Sequence, residues 1–415
     1  MASEGVFPLH TGRLGPNGQY RGHFMKKDTL ITYTGRDPED NYGVVNPPVY
    51  HASTITFPSL DEYENRGDNE FDRPQYGRTG TPTQFAFEEA ISALHGGFKT
   101  VSYPSGLAAI IGAATTFLQQ GDHLLMADTV YGPSRIRLAN TVLKRAGVKT
   151  TFFDPGIGEK ISDFILPETK VIFMESPGSL TFEVMDVPAI TSVARDKGII
   201  TMIDNTWSSP YFCQPIKLGV DVVIEACTKY VVGHSDVMMG SVTLNSSEHY
   251  QLVKNMANNY GYHAAPDDCY MALRGLRTIS VRLQRHQENA YKVATWLVSR
   301  SEIARVMYPA LPEDPGHEIW KRDHKGASGL FGVVFTEGNW KAAAALIDGL
   351  KHFGLGASWG GFESLVLPAH PEKIRTVNEW PHKTPCLRFH IGLEDPIDLI
   401  ADLDAGLTRY ALACS

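Results

Sequence analysis

Four short apolar runs punctuate the middle of the chain: HLLMAD (123–128), KVIFMES (170–176), GIITMIDN (198–205) and DVVIEAC (221–227). Each is short for a helix and nearly continuous in its apolar character, which suits a strand buried on both faces. Between them, LAAIIGAATTFLQQ (107–120) and VPAITSVARDKG (187–198) carry helical periodicity, the second stopped by Gly198. This alternation, from about residue 100 to 245, predicts βα units around a mostly parallel sheet. Ligands of such sheets gather beyond the carboxyl ends of the strands, so polar residues there are the first candidates for chemistry.

The texture changes at RGLRTISVRLQRHQENAYKVATWLVS (274–299), which predicts one long amphipathic helix. Beyond it, SGLFGVVF (328–335) and CLRFHIGL (386–393) read as strands and NWKAAAALIDGL (339–350) as a helix. The expected organisation is an N-terminal arm and extension over 1–75, an α/β domain over 76–275, and a smaller C-terminal α+β domain over 276–415. VVNPPVYHASTITF (44–57) is too rich in proline for a regular element and is expected to drape over a neighbour. The first 24 residues, Gly-rich and polar, read as a mobile arm without the apolar core of a signal peptide.

Composition narrows the partners. Apolar residues make up 43% and charged residues 20% of the 415, the balance of an ordinary globular chain. The formal charge of -8 argues against nucleic-acid and anionic-membrane partners, which need a basic surface. No apolar stretch approaches the roughly 20 residues of a membrane span. Five cysteines, Cys213, Cys227, Cys269, Cys386 and Cys414, are widely spaced with no CxxC pair. That disfavours a disulfide framework or a thiolate zinc site and suits a reducing cytoplasm. Fifteen histidines include no HExxH pair, which removes that class of metal hydrolase.

Two residues then stand out. Asp204 ends the strand-like GIITMID, a position equally open to a turn former or helix cap. Lys229 follows the next apolar run, in a setting that disfavours an ammonium unless it is paired or deprotonated. A lysine with a lowered pKa is the usual anchor for a carbonyl-bearing cofactor. Pyridoxal phosphate also needs a carboxylate against its ring nitrogen, and adjacent strands would set Asp204 beside Lys229. Gly106 and Leu107, in YPSGLAAIIGAATTFL, offer a helix N-terminus for the phosphate, and Thr228 a hydroxyl. Taken alone, PSG is an ordinary turn and cap.

With these in place, the chain resembles the Cys/Met-metabolism family of fold-type I pyridoxal-phosphate enzymes from about residue 29 to the C-terminus. The resemblance rests on QYGRTGTPT (75–83), PSGLAA (104–109), DTVYGPS (128–134), VIFMESPGS (171–179), MIDNTWSSP (202–210), ACTKYVVGHSD (226–236), ASWGGFESL (357–365) and LRFHIGLED (387–395), in that order. It implies a transferase-like α/β fold with the smaller C-terminal domain and pyridoxal 5'-phosphate as cofactor. Lys229 would bind the cofactor and shuttle the proton, Asp204 would meet the ring nitrogen, and Tyr131 would cover the ring and steer substrate protons. Gly106, Leu107 and Thr228 would hold the phosphate. Tyr76 and Arg78 would reach that phosphate from a neighbouring subunit, in a dimer at least and usually a homotetramer. Arg388, which by itself reads as a surface salt bridge, would grip the substrate carboxylate. Ser358 and Trp359 would complete the substrate side.

The family divides by how far electrons are pushed along the substrate side chain. GRTGTPT without Asn-Pro-Thr, Trp359, and Ala357 where many γ-lyases carry Glu all resemble the β-eliminating branch. That implies a carbon–sulfur β-lyase acting on an amino-acid thioether such as L-cystathionine in methionine biosynthesis. The alternatives are γ-synthase or γ-lyase chemistry and a broader cysteine-conjugate lyase or cysteine desulfhydrase. Three departures from the branch pattern, Ala226, Thr79 and Ala357, bear on the phosphate contact and on the distal pocket.

Overall fold

The computed structural model describes residues 7–8, 24–69, 71 and 73–414. The expectation of a mobile arm over the first 24 residues lies almost wholly outside them. Phe7–Pro8 (β1) pairs with Phe24–Met25 (β2), which leads into the main body. Residues 44–57 form no helix or strand beyond the isolated bridge from Thr54 to Tyr76, in keeping with their prolines.

Seven strands make the larger sheet: Lys99–Tyr103 (β3), His123–Ala127 (β4), Lys149–Phe153 (β5), Thr169–Glu175 (β6), Ile200–Asp204 (β7), Val222–Glu225 (β8) and Gly240–Leu244 (β9). Their spatial order is β3-β9-β8-β7-β6-β4-β5, with β9 antiparallel to both neighbours and every other pairing parallel. β4, β8 and β9 are buried at every position, because helices cover both faces and leave no wet side for polar alternation. The helix Gly106–Phe117 packs along β8 and β9, and Leu124, Phe173, Met202, Val223 and Val242 lie fully buried in this core.

The second sheet holds Ile303–Met307 (β10), Leu330–Phe335 (β11), Phe353–Leu355 (β12), Ser364–Ala369 (β13) and Cys386–His390 (β14), in the order β10-β11-β14-β13-β12. Only β12 and β13 run parallel. Helices Trp340–Ile347 and Pro396–Cys414 cover it around Phe331, Phe335, Phe389 and Tyr410. The fold is the α/β architecture with a smaller second sheet that the sequence led us to expect. Among the described residues no helix is long and apolar enough to cross a membrane.

One expectation is corrected. The single helix anticipated over 274–299 is two, Pro266–Leu276 and Ile279–Val298. The break follows from where the Gly275 carbonyl goes. It accepts from Thr278 N at 3.2 Å and from Arg282 Nη2 at 2.8 Å rather than from a fourth-residue amide. The same guanidinium donates to the Tyr230 carbonyl at 2.8 Å, fixing the turn one residue after Lys229. Periodicity runs through such a break because the apolar face continues on the next helix.

Arg282 is only 7% exposed, so its loss strands buried carbonyls. Arg282→Leu is expected to lower unfolding stability by about 3 kcal/mol, read as a shift in the denaturant midpoint. Arg282→Lys, which keeps one donor, is expected to lose less.

Candidate active site

β6, β7 and β8 lie side by side, and their carboxyl ends bring three acids together. Glu175 pairs in register with Asp204, and Asp204 with Ile224, one residue before Glu225. Glu175 escaped the sequence reading, although it is the last residue of β6, at the ligand-binding rim of the sheet. Its Oε2 accepts the Tyr131 amide at 2.5 Å. Removal from water and the like charge of Asp204 push the Glu175 carboxyl well above the ordinary range. On the other flank, Glu225 and His95 are fully buried at 3.7 Å from one another. Burial raises the Glu225 carboxyl well above its usual range and lowers His95 to about 3, so both stay neutral.

Asp204 is 7% exposed. Its Oδ1 accepts from Thr206 N at 3.0 Å and Thr206 Oγ1 at 2.5 Å, while Oδ2 has no hydrogen bond among the described residues. Burial raises its pKa, and the Thr206 bonds and the positive charge of Lys229 oppose that shift. A cationic N–H offered to Oδ2 would complete the carboxylate.

Lys229 lies in the turn after β8. Its Nζ donates to Ser358 Oγ at 2.6 Å and stands 5.4 Å from the centroid of the Trp359 ring. Burial first, and then the nearby Arg388 cation, lowers its pKa to about 8, against the pull of Asp204. The amine is therefore part neutral near physiological pH, as a nucleophile or base must be. Ser358 and Trp359 belong to the loop between β12 and β13, and Gly360 in that loop abuts the lysine backbone. It has φ +87°, and a Cβ there would come within 2.9 Å of the Lys229 Cα.

Arg388, on β14, is 8% exposed and forms no ion pair with a carboxylate among the described residues. Its Nη2 donates to the carbonyls of Ala357 and Ser358, each at 3.2 Å. Burial lowers its pKa to about 10, which leaves it a cation. A buried guanidinium without an anion is costly, and an incoming carboxylate relieves that cost. The surface salt bridge open to this residue on sequence alone is not made.

The helix Gly106–Phe117 opens at the N-cap Ser105, whose Oγ accepts from the Ala108 amide at 3.1 Å. The amides of Gly106 and Leu107 have no acceptor among the described residues, which leaves two aligned donors for an anion. Gly106 approaches Ala226 so closely that a Cβ would meet the alanine Cβ at 2.7 Å. The Thr228 hydroxyl donates to the Met239 carbonyl at 3.1 Å and accepts its amide at 2.9 Å, so its proton is already engaged. Tyr131 is 45% exposed, held by the Glu175 bond to its amide. Tyr76 and Arg78 do not join this group. Tyr76 is 47% exposed, and Arg78 Nη1 donates to the Asn258 carbonyl at 2.9 Å.

The donor set fits pyridoxal phosphate: a part-neutral amine for the aldehyde, an unfinished carboxylate for the ring nitrogen, and free helix amides for the phosphate. Residues 28–408 match the model of the Cys/Met metabolism PLP-dependent enzymes, and the chain belongs to that family. It is a pyridoxal-phosphate enzyme of fold type I. The chain is 43% identical to the cystathionine β-lyase of Escherichia coli over 92% of its own length and 98% of that protein's. It is 40% identical to an L-alanine/L-glutamate racemase of Wolbachia pipientis, with 92% and 98% covered. The cystathionine γ-synthase structure from Xanthomonas oryzae superposes with a TM-score of 0.85 at 31% identity, covering 94% of this chain and all of that one.

Two outcomes follow from this geometry. With cofactor-free protein, the rate of pyridoxal-phosphate capture is expected to rise with pH through a midpoint near 8, where Lys229 loses its proton, rather than near that of a free lysine. Stopped-flow absorbance measures it. Glu175→Gln, neutral and still an acceptor for the Tyr131 amide, is expected to keep turnover within roughly threefold, whereas Glu175→Leu is expected to lose tenfold or more.

Proposed function

We propose that the protein cleaves L-cystathionine at the Cβ–sulfur bond, giving homocysteine, pyruvate and ammonia. The observation that carries the reading is the buried, anion-free Arg388, bonded from β14 to the same loop that supplies Ser358 to Lys229. It is a receptor for an α-carboxylate placed next to the amine that would work at Cα. The 43% identity to a β-lyase, against 31% to the γ-synthase, supports cleavage at Cβ. So do Trp359, Ala357 and the absence of Asn-Pro-Thr after Arg78.

In this proposal Arg388 orients the substrate through its carboxylate, bidentately, as guanidinium geometry allows. Lys229 binds the cofactor at rest and, once displaced by the substrate amine, takes the Cα proton as a neutral base. Bound pyridoxal phosphate supplies an electron sink for the pair left at Cα. Asp204 keeps the ring nitrogen protonated, and the Gly106 and Leu107 amides, with Thr228 after its hydroxyl turns from Met239, hold the phosphate. The Cβ–S bond breaks with its electrons on sulfur, and the thiolate takes a proton from Lys229 or Tyr131. The Tyr131 phenol is suited to that as a donor, because burial and the charge of Asp204 raise its pKa and keep it protonated. Water converts the remaining three-carbon fragment to pyruvate and ammonia.

Tyr76 and Arg78 are assigned to the phosphate of a second copy. The exposed aromatic residues Tyr42, Tyr50 and Tyr63 in the same N-terminal region support a shared surface there. A second reading rests on the racemase relative: the same Lys229 and Tyr131 would exchange the Cα proton of L-alanine or L-glutamate.

Product analysis separates the readings. Pyruvate with homocysteine from L-cystathionine is expected; 2-oxobutanoate with cysteine would establish γ-cleavage, and D-alanine from L-alanine racemisation. Lys229→Ala is expected to lose turnover by orders of magnitude, and Arg388→Lys to raise KM roughly thirtyfold. Mixing inactive Arg78→Ala chains with inactive Lys229→Ala chains is expected to restore part of the activity, because mixed dimers regain one complete site.

A further inference from the structure

We infer that His390 is a positioning residue: as a neutral acceptor for the Gly360 amide, it fixes the loop that holds Ser358 and Trp359 against Lys229. His390 is two residues beyond Arg388 on β14, so both side chains project from one face of the strand. Both meet the same loop. Arg388 takes the carbonyls of Ala357 and Ser358, and His390 Nε2 lies 3.1 Å from Gly360 N.

The tautomer follows from the partners. His390 Nε2 is also 3.2 Å from the Gly361 carbonyl, but one ring nitrogen cannot accept from one and donate to the other. A buried amide without an acceptor is rarer than a carbonyl short of a donor, so Nε2 accepts and the proton is on Nδ1. His286, on the helix Ile279–Val298, behaves in the complementary way. Its Nδ1 donates to the Ile391 carbonyl at 2.8 Å, which leaves Nε2 a bare acceptor. His390 Nδ1 and His286 Nε2 are both buried without a hydrogen-bond partner, in rings 5.2 Å apart. One carries a proton and the other a lone pair, and a second proton on either ring would break the arrangement. Burial depresses both imidazoles, His286 to about 4, in agreement with neutral rings.

Tyr230 connects this pair to the lysine. Its ring is 5.5 Å from Trp359, 5.3 Å from His286 and 6.0 Å from His390, and it is the residue after Lys229. The loop therefore has little freedom. Ser358 must stay at 2.6 Å from Lys229 Nζ while Gly360 remains in contact with the lysine backbone. A histidine that merely fills space would not require an acceptor at Nε2, and that difference is testable.

The holoenzyme is compared as His390→Gln, whose amide oxygen reaches the place of Nε2, and His390→Phe, which fills the volume without accepting. The glutamine variant is expected to keep kcat/KM for L-cystathionine within about threefold. The phenylalanine variant is expected to raise KM at least tenfold with a smaller change in kcat. Adding Ser358→Ala to His390→Phe is expected to cost little more, because both act through one contact. The visible absorption of bound cofactor and its retention through gel filtration report on Lys229 without turnover, and His390→Phe is expected to weaken retention. That arm stands even if the substrate assigned above is wrong. Equal behaviour of the glutamine and phenylalanine variants, or additive losses with Ser358→Ala, would overturn the inference. If the phenylalanine variant does not fold, His390→Asn, too short to reach Gly360, replaces it in every comparison.

Discussion

Holding the Lys229 amine out of water, between an acid and a guanidinium, is the constraint on which the site depends. Burial lowers the affinity of Lys229 for its proton, Arg388 lowers it further, and Asp204 pulls the other way. An amine in bulk water would be almost wholly protonated and unable to attack a carbonyl. An amine buried with no counter-charge would give up its proton altogether. The balance near pH 8 keeps both forms within reach, which the anchor and proton-carrier role proposed for Lys229 needs.

The sheet supplies this balance through register. Parallel pairing puts Glu175, Asp204 and Glu225 at consecutive strand ends, where three ionised acids would repel one another strongly. Only the middle one has Thr206 to accept from and Lys229 to face. Its neighbours are kept neutral by burial, and each is used otherwise, Glu175 to hold Tyr131 and Glu225 beside His95. The negative charge is thereby confined to the carboxylate whose Oδ2 remains open.

Neither sheet contains the site alone. Lys229, Asp204 and the helix Gly106–Phe117 belong with the seven-stranded sheet, and Ser358, Trp359 and Arg388 with the five-stranded one. The two are joined near the site by specific polar contacts. Trp207, three residues past Asp204, donates to the Leu330 carbonyl at 2.9 Å. Asp128, three residues before Tyr131, accepts from Thr376 N and Val377 N, each at 3.1 Å. Bonds of this kind fix relative position more than they add net stability, since each replaces a bond to water.

Much of this was legible in the chain before any coordinates. Buried strands and the helices between them follow from apolar periodicity, because a sheet covered on both faces cannot tolerate polar alternation; the strand-end position of Asp204 and the apolar approach to Lys229 come from the same pattern. Family motifs added Arg388, Ser358 and Trp359, which no local pattern distinguishes. Tertiary structure alone decided the rest. The break at Gly275 depends on a guanidinium seven residues further along the chain, Glu175 matters through its register with Asp204, and His390 through a loop amide 30 residues away. Sequence fixes which groups a chain carries and which faces it must hide. Burial, pKa and hydrogen-bond partners are properties of the neighbours that folding assembles, and no window of sequence contains them.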